Sequence, residues 1–187
     1  MNGTKSVMIV GVGGQGTLLA SRILGSAMLR RGYDVKVGEV HGMSQRGGSV
    51  VTYVRFGGEV FSPVIDLGGA DVLLAFEQLE AARALPFLKP GGTAVVNTQQ
   101  IDPMPVVTGA AEYPQGLLQA MEGKGAKVVA VDALALAGQA GSQKAVNVVL
   151  MGAMARHLEP DKALWLDALR ECVPERFYEM NQRACCL

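Results

Sequence analysis

The chain has few residues of the kinds that bind metals or form disulfides. Its three cysteines are Cys172, Cys185 and Cys186, and its two histidines are His41 and His157. No Cys-x-x-Cys pair occurs, whereas an iron–sulfur cluster usually takes four thiolates and a structural zinc site four clustered ligands. We therefore expect no metal or cluster on this chain, and reduced thiols of the kind found in the cytoplasm.

Charge and long apolar runs are also scarce. Charged residues make up 18% of the 187 residues and the formal net charge is zero. No basic run is present, so the sequence gives no reason to expect a nucleic-acid partner. The first apolar run, residues 7–12, is far too short for a membrane span or a secretory signal. We expect a cytoplasmic protein that binds neither nucleic acid nor membrane.

Apolar residues, in contrast, are plentiful at 49% of the chain. That share is enough for the full core of one domain, and the length fits a single domain over residues 1–187. Low surface charge also favours burial against partner chains, so we expect a homodimer when the chain is isolated.

Strands are predicted to alternate with helices from residue 6 onward, which predicts an α/β fold. We expect a Rossmann-like, doubly wound, mostly parallel sheet with a β-hairpin insertion after strand two. The hairpin is predicted from residues 49–56, the Gly57-Gly58 turn signal and a return strand at 59–61. Further expectations are a turn at 90–92 and a short strand at 106–107.

The first of two glycine-rich loops follows the first predicted strand. It contains Gly11-x-Gly13-x-x-Gly16, the pattern in which glycines permit a tight turn and close approach of a phosphate. Gln15 adds an amide that is able to reach over the loop. Glu39, at the end of strand two, is where an acidic residue would bind a ribose hydroxyl.

The second loop runs from His41 to Ser49 and is unusually rich in functional groups. It holds three glycines, an imidazole, two hydroxyls, an amide and the guanidinium of Arg46. Arg46 is the predicted anion partner because its planar fork suits phosphate or carboxylate. His41 either donates to a substrate carbonyl or orients the loop. Together the two loops predict two walls of one anionic-ligand site.

Two functions remain open on these residues alone. The first loop and Glu39 are compatible with a stand-alone NAD-dependent dehydrogenase. A purely structural module, whose loops dock a partner, is the alternative. A third function, an accessory subunit of a composite active site, follows from the resemblance of the two loops to a known family.

The two loops together closely resemble those of the gamma-type domain of the 2-oxoacid:ferredoxin oxidoreductases. The motifs are Gly-x-Gly-Gly-Gln-Gly after strand one and Glu-x-His-Gly-Met-Ser-Gln-Arg-Gly-Gly-Ser at 39–49. Arg55 and the segments 70–74, 91–92 and 144–153 extend the resemblance over nearly the whole chain. Residues 173–177 resemble the branch that acts on indolepyruvate and other aryl pyruvates; the tail from 185 departs from it.

The resemblance implies an enzyme subunit that is inactive alone. Such enzymes oxidatively decarboxylate a 2-oxoacid to an acyl-coenzyme A and pass the electrons to ferredoxin. The chain lacks a Gly-Asp-Gly thiamine signature, so thiamine diphosphate and the [4Fe-4S] clusters are expected on a larger alpha subunit. Coenzyme A is the expected cosubstrate.

We therefore predict a site with two catalytic residues and a set of cofactor contacts. The predicted catalytic residues are Arg46 and His41. The predicted cofactor-binding residues are Gly11, Gly13, Gly14, Gln15, Gly16, Ser44, Gln45, Gly47, Gly48 and Asn147.

Overall fold

A computed structural model of the chain describes residues 3–42 and 47–187. Within these residues the strands are β1 (Lys5–Val12), β2 (Asp34–His41), β3 (Ser49–Gly57), β4 (Ala70–Ala75), β5 (Leu88–Asn97) and β6 (Lys127–Val131). They form one six-stranded sheet in the order β2-β3-β1-β4-β5-β6.

Five of the six strands of this sheet point the same way. β1, β4, β5 and β6 pair in parallel, while β3 pairs antiparallel with β1 on one side and β2 on the other. The mostly parallel α/β fold predicted from the sequence is confirmed. β1 shows why its sequence is a continuous apolar run: Val7 and Ile9 face one side of the sheet, Met8 and Val10 the other, and both sides are covered.

Helices cover both faces of the sheet. The helices are α1 (Thr17–Arg30), α2 (Gln78–Ala84), α3 (Met104–Val107), α4 (Leu117–Gly123), α5 (Ala133–Ala140), α6 (Val146–Leu158), α7 (Lys162–Cys172) and α8 (Tyr178–Cys186). Helices α2 and α4 pack on one face, and α1 and α5 to α8 build a thicker layer on the other. The arrangement is doubly wound, and the carboxyl ends of the parallel strands meet at one edge.

The β-hairpin consists of β2 and β3, whereas the sequence predicted a hairpin of β3 and a later strand. Residues 59–61 form no strand, and β3 pairs instead with β2 across the second glycine-rich loop. The reason is that both hydrogen-bonding edges of β3 are taken, one by β1 and one by β2. β3 therefore has no edge left for a return strand after Gly57-Gly58.

Two smaller expectations are also corrected. Residues 106–107 belong to α3, since Pro103 caps that helix and Pro105 lies in its first turn, a position proline favours. The predicted turn at 90–92 lies inside β5, where Gly91 has φ 70° and the register with β4 shifts. A bulge there lets the strand continue.

Candidate functional site

The first glycine-rich loop connects β1 to α1 through a tight turn. Gly14 and Gly16 have φ values of 103° and 85°, in the left-handed region that favours glycine. At Gly11, a Cβ atom would lie 2.9 Å from both Gln15 Oε1 and Phe76 Cβ. The turn and its packing therefore require these three glycines whether or not a ligand binds.

The two glycine-rich loops are hydrogen-bonded to each other. The Gly13 N–H donates to the Gly48 carbonyl oxygen at 2.8 Å, and the Gly47 N–H donates to the Gly13 carbonyl oxygen at 3.4 Å. These bonds extend the antiparallel β1–β3 ladder past its last pair, Val12 with Ser49. The structure thus brings together the loops that the sequence analysis placed on one site.

Gln15 points into the protein rather than over the loop. Its Nε2 donates to the Phe76 carbonyl oxygen at 3.0 Å, and its Oε1 accepts the Val12 N–H at 2.7 Å. The Gln15 amide therefore bridges the carboxyl ends of β1 and β4. The helix after β1 and the helix after β4 lie on opposite faces of the sheet, and ligands of doubly wound folds usually bind at such a point between two strands. In this protein the Gln15 side chain occupies that point.

The N-terminus of α1 opens beside the first loop. Gly16 is its N-cap, no side chain caps the helix, and its first turn contains no acidic residue. The first N–H groups of a helix have no partner within the helix, and this end carries partial positive charge. The start of α1 therefore has the donors and the electrostatics to hold a phosphate or carboxylate.

Asn147 connects a second helix to the same loop. It lies in the first turn of α6, and its Nδ2 donates to the Gly16 carbonyl oxygen at 3.4 Å. Its Oδ1 accepts the Val148 N–H at 3.0 Å. Asn147 thus stabilises the turn at Gly16. The contact with a cofactor that the resemblance implies for Asn147 stays a prediction.

An open cleft of about 380 Å³ lies between the start of α1 and the edge strand β2. This volume is toward the lower end of the usual range for ligand pockets, about 300–1,000 Å³. One wall is the helix N-terminus, and the other carries a carboxylate and an imidazole on the same face of β2. The lining residues are Gly13, Gly14, Gly16, Thr17, Leu18, Glu39, His41 and Val50.

Glu39 does not occupy the position of the ribose-binding acid of a dinucleotide fold. In that fold strand two is next to strand one, but here β3 lies between them. Glu39 stands opposite Thr52, which in turn stands opposite Ile9. Two strand spacings, about 10 Å, separate Glu39 from β1. This geometry disfavours a stand-alone NAD-dependent dehydrogenase.

Part of the predicted site lies outside the described residues. Ser44, Gln45 and Arg46 belong to the segment 43–46, so their roles stay predictions. His41 is exposed at the end of β2, with its Nδ1 3.4 Å from the Gly42 carbonyl oxygen. It lines the cleft, as a residue that contacts a ligand must.

Sequence reasoning missed a buried polar group beneath the loops. The carboxylate of Glu77, 1% exposed, accepts the Tyr113 hydroxyl, the Glu80 N–H at 2.9 Å and the Ile101 N–H at 3.2 Å. Burial, together with the Glu77 carboxylate, raises the pKa of Tyr113 well above its usual range, so the phenol remains a donor. The available signal was a polar residue directly after a buried strand.

Asn97, at the end of β5, is a second residue that the sequence analysis missed. It is 1% exposed, and its Nδ2 donates to the Phe76 carbonyl oxygen at 3.1 Å. Its Oδ1 accepts the Ala133 N–H at 3.3 Å. The side chain thus ties β4, β5 and α5 together at the edge that carries the loops.

Metal-binding clusters and membrane-spanning helices are not found in the described parts of the chain. Residues 3–42 and 47–187 contain no group of three or more His, Cys, Asp or Glu side chains able to hold a metal ion. In the same two segments no helix has the length and apolarity needed to cross a membrane.

The fold and the paired loops define the class of the protein: a Rossmann-like α/β domain with a β2–β3 hairpin that carries the second loop. Residues 6–186 match the sequence profile of the family described as pyruvate ferredoxin/flavodoxin oxidoreductase. The chain belongs to this family.

Full-length relatives point to one branch of it. The chain is 45% identical to the indolepyruvate oxidoreductase subunit IorB of Thermococcus kodakarensis, over 96% of this chain and 91% of the relative. It is 42% identical to the protein of the same name from Pyrococcus horikoshii, with the same coverage.

Solved structures share the fold. The gamma subunit of a keto/oxoacid ferredoxin oxidoreductase from Geobacter sulfurreducens superposes with a TM-score of 0.70 at 24% identity, over 97% of this chain and 94% of that one. A 2-oxoglutarate:ferredoxin oxidoreductase from Magnetococcus marinus, solved with 2-oxoglutarate, coenzyme A and succinyl-CoA, gives 0.74 at 19% identity. That match covers 98% of this chain but 30% of the other, so the same fold also occurs as part of a longer chain.

Proposed function

We propose that this chain is the subunit of an indolepyruvate or aryl pyruvate:ferredoxin oxidoreductase that carries neither thiamine diphosphate nor iron–sulfur clusters. A larger alpha subunit holds both, and the assembled enzyme transfers the acyl group to coenzyme A and two electrons to ferredoxin. The observation that carries the proposal is the pairing of the two glycine-rich loops beside the uncapped end of α1, in a chain of this family. The low share of charged residues in the chain and the IorB relatives that match nearly its whole length support a partner-dependent, cytoplasmic role.

The start of α1 fits the diphosphate of coenzyme A. The backbone N–H groups of Gly16 and of Thr17, at the start of α1, supply donors, and the glycines leave room for a phosphate to approach. Arg46 adds a fixed positive charge, with Ser44 and Gln45 as neighbouring polar contacts. His41 donates to the substrate carbonyl. Bound thiamine diphosphate on the partner supplies the decarboxylation chemistry.

Co-expression with the larger subunit tests the proposal. We expect the two chains to copurify and to oxidise indolepyruvate only together, with coenzyme A consumed and ferredoxin reduced. Failure to copurify, combined with unchanged 2-oxoacid oxidation when this chain is added, would refute it. Titration with NADH separates the alternative, since micromolar binding to the isolated chain favours a dehydrogenase.

Arg46 variants of the complex then test the assignment of the site. Arg46→Ala removes a charge-assisted bond, so we expect the KM for coenzyme A to rise about tenfold or more. Arg46→Lys keeps the charge but loses the fork and should lie between Arg46→Ala and the wild type. Arg176→Ala, which removes an exposed arginine beside Phe177, is the matched control. Equal KM values in all four proteins would exclude Arg46 from the site.

A further inference from the structure

Glu80 is a carboxylate on the buried face of a short helix. The side chains next to it on that face of α2, Ala81 and Ala84, are buried in the core, and the side chain of Glu80 is only 7% exposed. Burying a charged group is costly unless it is paired. A carboxylate at this position therefore calls for a specific partner.

Its two oxygens have separate partners. Oε1 accepts from the Arg83 guanidinium at 2.6 Å, an ion pair whose arginine is about half exposed. Oε2 accepts the hydroxyl of Ser49, 31 residues away in the chain. A glutamate at the third helical position usually reaches back to its own N-cap. Glu80 reaches across to a different element instead.

Ser49 is the residue at which the second glycine-rich loop ends. It opens β3 opposite Val12, next to the contacts that join Gly13 with Gly47 and Gly48. The contact between Ser49 and Glu80 therefore joins the end of the second loop to α2. Helix α2 lies on the opposite face of the sheet from α1.

We propose that Glu80 is a positioning residue that, through Ser49, holds Gly47 and Gly48 at the described end of the second glycine-rich loop against Gly13 of the first. Its importance for catalysis rests on the proposed function, while its effect on the loop does not. A hydrogen bond to a charged group corresponds to about a tenfold change in an equilibrium. Loss of this contact should let the Gly13–Gly48 pair open about tenfold more often.

Hydrogen exchange of the full chain tests the proposal without any ligand. In Glu80→Ala and Ser49→Ala we expect the Gly13 amide, which donates to Gly48, to exchange about tenfold faster. Glu80→Gln keeps an oxygen that accepts the Ser49 hydroxyl, so it should restore slow exchange. Arg83→Ala, which removes only the exposed ion pair, is the matched control.

Two results would overturn the proposal. One is unchanged Gly13 exchange in both alanine variants. The other is an equal acceleration at Val95 in β5, because this would indicate general loss of stability rather than release of the loop.

Kinetics of the complex separate this inference from the proposed function. If the loops form the coenzyme A site, Glu80→Ala and Ser49→Ala raise the KM for coenzyme A with a smaller change in kcat, and Glu80→Gln restores it. If Gly13 exchange accelerates while that KM stays constant, Glu80 positions the loop and the coenzyme A assignment fails.

Discussion

The contact between Gly16 and Asn147 sets the shape of the turn at the start of α1. A Cβ atom on Gly16 would lie 2.6 Å from Asn147 Nδ2, and the residue has φ 85°. Gly14 also has a positive φ, 103°, but no atom lies within 4 Å of the position of its Cβ. A side chain at Gly14 would therefore add backbone strain alone, whereas one at Gly16 would add both backbone strain and a steric clash.

Alanine at these two positions should destabilise the protein to different degrees. Gly14→Ala adds left-handed strain, about 1–3 kcal/mol of unfolding free energy. Gly16→Ala adds similar strain and also displaces Asn147, so we expect a clearly larger loss. Urea unfolding of both variants measures the difference. Equal losses would mean that Asn147 moves away at no cost.

The two adjacent cysteines near the C-terminus should differ in reactivity. Burial raises the pKa of the Cys185 thiol to about 11, while Cys186 is exposed. At pH 8 we expect iodoacetamide to modify Cys186 first, and Cys185 to react only as the pH approaches 11, because the thiolate is the nucleophile. Mass spectrometry after timed alkylation gives both rates. Similar rates at pH 8 would contradict the burial of Cys185.

The raised pKa of Cys185 also makes the stability of the protein depend on pH. A thiol whose pKa is raised in the folded state contributes stability that is fully present below its unfolded pKa of about 8.5. That contribution is lost as the pH rises toward 11. The unfolding free energy should therefore fall over this alkaline range, and less so in Cys185→Ser.

Helices α6 and α8 approach closely because one glycine leaves room. A Cβ atom on Gly152 would lie 2.1 Å from the Cys185 carbonyl oxygen, a backbone atom that cannot turn aside. Arg156, one turn further along α6, donates to the Cys186 and Leu187 carbonyl oxygens and so caps α8. The C-terminal helix therefore depends on this face of α6.

Gly152→Ala should detach α8 and lower the melting temperature by many degrees, since the clash is with backbone. The matched control is Gly138→Ala in α5, where no atom lies within 4 Å of the added Cβ. There alanine should stabilise the helix by about 0.5–1 kcal/mol. Hydrogen exchange in residues 178–186 reports on α8 directly. A normal melting temperature in Gly152→Ala would show that the two helices shift apart freely.

The alternation of strands and helices could be predicted because it depends on local patterns. The apolar run of β1 and the helical spacing in α1 are properties of neighbouring residues. The pairing of β3 could not be predicted, because strand partners are chosen by the whole sheet. Residues 59–61 had the composition of a strand, but both edges of β3, their predicted partner, are taken by β1 and β2.

At the scale of the whole molecule, no strand among residues 3–42 and 47–187 pairs with the outer edge of β2. Val37 and Val40 are 46% and 56% exposed on that strand, and exposed apolar edge strands tend to pair with other chains. We expect the isolated chain to form a homodimer through this edge. Val37→Lys should shift it to monomer in sedimentation experiments, because edge lysines oppose strand pairing.

The control for this experiment is Leu67→Lys, which changes another exposed apolar residue away from β2. Dimers that persist in Val37→Lys, or that dissociate equally in Leu67→Lys, would place the contact elsewhere. A monomeric wild-type chain would refute the expected homodimer.

The sequence by itself determined the fold class, the two glycine-rich loops and the family of the chain, because each depends on residues that are close together in the sequence. Tertiary structure decided what the residues in those motifs do. Gln15 points inward to Phe76, and β3 displaces Glu39 from β1. Glu80 reaches Ser49 from another helix. These contacts join residues that are distant in the chain, and only the packing of the sheet and its helices brings them within hydrogen-bonding distance.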